Sequence, residues 1–95
     1  MDSVRTHRPD IFVLDISMPG RNAFDVLREL TEKSPNSRVI VFTGLGERSS
    51  VTNAVIAGAW GFVFKHEGPG VLLKILRIVA EGGFALSDEA RRATN

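Results

Sequence analysis

The chain contains no cysteine. That excludes a disulfide framework and any thiolate metal site, and it fits a cytoplasmic protein. The two histidines, His7 and His66, lack a paired ligand spacing, so a zinc site is not expected. Charge of one sign is not in excess: 12 Lys and Arg against 11 Asp and Glu give a formal net charge of +1, which provides no electrostatic case for direct nucleic-acid binding. The N-terminal end is polar and charged, so no signal peptide is read there. The longest apolar stretch, Val71 to Ala80, is too short to span a bilayer and carries Lys74 and Arg77. Internal repeats, low-complexity tracts and linkers are also lacking. What remains is 95 residues, 43% hydrophobic and 24% charged, the balance of one small globular domain over residues 1–95.

Within that domain one stretch organises the rest: Asp10-Ile-Phe-Val-Leu-Asp-Ile-Ser-Met-Pro-Gly20. Ile11 to Leu14 is short, apolar and bounded by turn signals, so it reads as a buried strand over about 10–15. Asp15 stands where that strand breaks surface. Val39-Ile-Val-Phe42 repeats the device and ends in Thr43. Phe62-Val-Phe64 repeats it again and ends in Lys65. Thr43 follows Asp15 by 28 residues, and Lys65 follows Thr43 by 22, each room for one helical crossover. Right-handed parallel crossovers bring all three strand ends to one sheet edge, where ligands bind in open α/β sheets. Asp15, Thr43 and Lys65 then form a small site for an anionic group.

The spacing predicts helices over about 22–33, 49–57 and 70–81. In the first, Phe24, Leu27, Leu30 and Thr31 share a face, with Val26 beside them and Asn22 as N-cap. Ser49 or Ser50 would cap the second, Val51, Ala54 and Val55 would face the core, and Gly58 would stop it. Pro69 would open the third after a loop over 66–70, and Gly82-Gly83 would end it. Residues 2–8 would be the last turns of a helix stopped by Pro9, and Ser87 would cap a short final turn through Arg92. Gly44-Leu-Gly46 is not a dinucleotide fingerprint, because Ser49 stands where the third glycine belongs.

Leu14-Asp-Ile-Ser-Met-Pro-Gly20, Val41-Phe-Thr-Gly44, Ala57-Gly-Ala59 with Gly61-Phe62, and Lys65 together resemble the receiver domain of bacterial response regulators. The likeness is to receivers that precede a helix-turn-helix output domain, and Gly82 to Arg92 resembles the end of such a receiver. The resemblance implies an α/β, shortened flavodoxin-like fold of three parallel strands with flanking helices. It also implies roles: Asp15 as phospho-acceptor, Thr43 donating to a phosphoryl oxygen, and Lys65 pairing with the phosphoryl charge. Gly44 would leave room for that group, Phe62 would take the place of the switch aromatic, and the Ser17 carbonyl would help hold Mg²⁺ beside Asp15.

Against that family pattern, the preceding strand, helix and second strand are missing, with the acidic pair that completes the Mg²⁺ site. Weak Mg²⁺ affinity is therefore expected, and a direct Asp15–Lys65 ion pair in its place. The strand ending in Asp15 would be a bare edge, and the Val71–Val79 helix would be apolar nearly all round. Both point to a homodimer, with Ile11, Val13, Trp60, Leu72, Ile75 and Val79 at the interface. The leading functional expectation is a regulatory module of a two-component phosphorelay, served by a sensor histidine kinase or a partner receiver. The alternative is a phosphorylation-incompetent interaction module. A third is a natural protein that extends beyond this sequence. No base, nucleophile relay or cofactor motif suggests an enzyme acting on an external substrate.

Overall fold

A computed structural model describes residues 10–15, 23–34, 36–44 and 48–94. Strands β1 (Asp10–Leu14), β2 (Ser37–Thr43), β3 (Gly61–Phe64) and β4 (Ala85–Leu86) form one sheet in the order β1-β2-β3-β4. Every neighbouring pair is parallel. Helices α1 (Ala23–Lys33), α2 (Arg48–Ile56) and α3 (Pro69–Ala80) make the crossovers, and α4 (Asp88–Ala93) follows β4.

The sheet therefore has four strands, not the three expected. Ala85-Leu86 is too short and too plain to declare itself. It forms because the Ala85 and Ser87 amides donate to the Trp60 and Phe62 carbonyls, both at 3.0 Å. The Asn22 cap, Ser17 and residues 2–8 lie outside the described residues, as do the side chains of Phe24, Ser49 and Ser50. Helix α2 starts at Arg48, which sets Ser49 and Ser50 inside the first turn and not at the N-cap. The expected loop after β3 begins with a 3-10 turn, Lys65–Glu67. Pro69 does open α3, and Gly58 and Gly82 adopt φ +111° and +101° at the helix stops.

Successive side chains of a strand point to opposite faces, and because both faces of this parallel sheet are covered, the strands are apolar almost throughout. Val39, Val41, Phe62 and Phe64 pack with Leu27, Val51, Ala54 and Ala90 under α1, α2 and α4. Ile40 and Val63 pack on the other face with Ile75, Val79 and Ala85, under α3. Helix α3 lies close over β3 because Gly61 has no side chain. A Cβ there would stand 2.9 Å from Ile75 Cγ2 and 3.2 Å from the Ala85 carbonyl oxygen.

This packing corrects part of the expected interface. Ile75 and Val79 are buried within the chain, because their stripe of α3 is the one that faces β2 and β3. Leu72 is half-buried against the same cluster. Trp60 is half-buried too, with the Arg38 guanidinium 4.6 Å from its ring centroid. Arg38 also donates to the Val79 carbonyl at 2.8 Å, near the C-terminal end of α3. Leu73 and Ile78 are the large apolar side chains of α3 left exposed. Among the described residues no helix is long and apolar enough to cross a membrane.

Two substitutions test this account by thermal or denaturant unfolding. Arg38→Met removes a charged hydrogen bond and the stacking on Trp60, and should lower stability by about 1–2 kcal/mol. The Ser37 hydroxyl is buried and has no hydrogen-bond partner among the described residues. Ser37→Ala relieves that orphan and should raise stability by about 1 kcal/mol; a loss of similar size would contradict the assignment.

Candidate functional site

Parallel register fixes where the polar strand ends fall. Leu14 pairs with Val41, so Asp15 comes level with Phe42, one residue short of Thr43. Thr43 pairs with Phe64, so Lys65 follows directly beyond it. Three consecutive strands thus bring a carboxylate, a hydroxyl and an ammonium to one rim, as expected from their spacing.

The ends of β1 and β3 are two strand spacings apart, about 10 Å. The Lys65 arm spans that gap, and its Nζ lies 2.6 Å from Asp15 Oδ2. The expected ion pair is therefore present. The arm passes over Gly44, where an added Cβ would lie at an ordinary contact distance of 4.0 Å from Lys65 Cδ. Larger side chains would intrude on the corridor. Both charged groups keep contact with water, at 32% exposure for Asp15 and 49% for Lys65. The contact is thus worth at most about 1 kcal/mol to folding and leaves the carboxylate reachable.

Thr43 is fully buried at the base of the rim. Phe62 is also fully buried, edge-on to Phe64 with centroids 5.1 Å apart. It contributes to the core in this conformation. Ser17 lies outside the described residues.

Two carboxylates that the sequence reading passed over hold the rim's far side. Glu67 accepts from the Phe64 amide at 2.9 Å and from the Ser87 hydroxyl at 2.6 Å. Ser87 Oγ in turn accepts from the Ala90 amide at 3.1 Å and caps α4, as expected. Glu89 grips His66 Nε2 with both oxygens at 2.8 Å, and the His66 ring stacks on Phe64. The spacing of Glu67, three residues after the last residue of β3, was the available signal. It resembles the back-reaching acid of a helix start.

A divalent cation can be tested against this donor set. Among the described residues no three His, Asp or Glu side chains cluster as metal ligands. One oxygen of Asp15 already carries an ammonium. Magnesium holds its waters tightly and needs hard oxygen donors in octahedral array. Asp15 alone does not supply them, so the described residues do not fit a firmly held ion.

Residues 1–77 match the family described as response regulator receiver domain. The nitrate/nitrite response regulator protein NarL of Escherichia coli (strain K12) is 39% identical over 80 residues, covering 84% of this chain and 37% of that protein. The chemotaxis protein CheY of Thermotoga maritima is 34% identical over 74 residues, covering 78% of this chain and 62% of that protein. This chain thus spans only part of the length of such relatives. A two-component response regulator of the LuxR family from Aurantimonas superposes with a TM-score of 0.82 at 25% identity, covering 98% of this chain and 71% of that one. Motif, topology and relatives agree, and the chain belongs to the response regulator receiver domains of two-component systems.

Proposed function

We propose that this receiver acts as a regulatory module of a phosphorelay, with Asp15 as the group that takes the phosphoryl. The observation that carries the reading is the Lys65–Asp15 contact of 2.6 Å on an exposed strand-end rim. A carboxylate oxygen of Asp15 attacks phosphorus and forms the new O–P bond. The donor's bond to phosphorus breaks, and its leaving group departs with the electron pair. Lys65 shifts from the carboxylate to the added phosphoryl oxygens, which carry more negative charge. Gly44 leaves the space that the group needs. Such transfer depends mainly on positioning and charge neutralisation, so few side chains suffice. The donor would be a sensor histidine kinase or a partner receiver, in the cytoplasm.

A second reading is favoured by a specific observation. Lys65 already neutralises Asp15, and no acidic cluster stands beside them among the described residues. In that reading the domain is an interaction module that does no phosphoryl chemistry.

Incubation with acetyl phosphate, with and without Mg²⁺, separates the two by intact mass. A single phosphoryl adduct that hydroxylamine removes, and that Asp15→Asn abolishes, is the expected result. Unchanged mass under both conditions supports the interaction module. Calorimetric titration should show Mg²⁺ affinity no tighter than about 1 mM. Saturable binding well below that, lost in Asp15→Asn, would overturn the weak-site reading.

A further inference from the structure

Lys65 is rooted in the 3-10 turn Lys65–Glu67, and no residue of that turn is buried. Its closing bond, from the Gly68 amide to the Lys65 carbonyl, is long at 3.2 Å. Three residues of 3-10 helix do not fix their own direction. Helix α4 has the same difficulty. It runs for six residues, Asp88–Ala93, well below the length at which a helix holds itself. The side chains that seat it on the core are small: Ala90, fully buried, and Ala93 beside the same cluster.

The two elements secure each other. Glu67 Oε1 accepts from the Ser87 hydroxyl at 2.6 Å while it holds the Phe64 amide at 2.9 Å. Ser87 is 2% exposed and is the N-cap of α4. His66 Nε2 meets both oxygens of Glu89, the second residue of α4, at 2.8 Å. The His66 ring lies 14° from parallel to buried Phe64. The side chains of the turn thus go three ways: Lys65 to Asp15, His66 to Glu89 and Glu67 to Ser87.

We propose that Glu67 and His66 are positioning residues for Lys65. By fastening the turn to the start of α4, they hold the ammonium over Asp15 and make the rim answer to how α4 sits. An arm fixed at its root loses only its own rotamers when it meets Asp15. An arm on a loose turn also samples the orientations of the turn, and its ammonium spends less time in place. Small displacements of a group that neutralises charge are costly in rate. Both partners of Glu67 are hydrogen-bond donors, so its part is that of an acceptor, which an amide oxygen can also fill. The consequence for phosphoryl transfer rests on Asp15 being the acceptor; the placement of Lys65 does not.

Two measurements on the full chain test this. Acylation by acetic anhydride, read by mass spectrometry, reports how firmly Lys65 is held, with Lys33 on α1 as the internal reference. Relative to Lys33, Lys65 should react at least threefold faster in Glu67→Ala and Ser87→Ala than in the parent. Glu67→Gln should match the parent, and Asp15→Asn sets the ceiling. With acetyl phosphate and Mg²⁺, phosphoryl uptake should slow at least fivefold in Glu67→Ala and Ser87→Ala. Combined with Lys65→Met, neither should slow it further, because the arm they aim is gone. Circular dichroism should be that of the parent throughout, and His66→Ala, on the second contact, replaces any variant that unfolds. Unchanged Lys65 acylation in the folded variants overturns the proposal. So does equal slowing of uptake with and without Lys65, the mark of a purely structural role. If the parent takes up no phosphoryl group, the acceptor reading fails and the acylation series alone decides the placement of Lys65.

Discussion

Lys65 meets Asp15 by reaching over a strand that belongs to neither of them. That contact requires β2 to lie between β1 and β3, to run the same way, and to end in a residue that does not block the arm. The first two conditions come from apolar strands covered on both faces, which fixes their order and register through Leu27, Ile40, Val63 and Ile75. The third is met by Gly44. Move the register by one residue and every core side chain changes face. The rim is thus a by-product of the core. Its chemistry needs no special backbone, only three strands that stop at the same level.

Much of this was legible because each strand announces its own end. A run of β-branched and aromatic residues that breaks at Asp15, at Thr43 and at Lys65 carries both the strand assignment and the site. Pro69, Gly58 and Ser87 marked helix boundaries by residue chemistry alone, and the structure places them there. The family motifs then supplied roles that spacing by itself could not.

What escaped was decided by tertiary contact. Ala85-Leu86 is a strand only because β3 offers carbonyls beside it. The apolar circumference of α3 suggested exposure at Ile75 and Val79, yet the sequence does not say which stripe of such a helix turns to the sheet. Glu67 and Glu89 look like ordinary surface acids until Ser87 and His66 fold against them. In each case the signal lies in a partner a dozen or more residues away.

The margin of the sheet at β4 limits growth. There β4 stops after two residues, and Ser87 immediately turns the backbone into a helix. So brief a margin offers little to an incoming strand. A sheet that ends in so short a strand is capped by its own chain, which spares that flank the open-ended stacking that threatens exposed sheets.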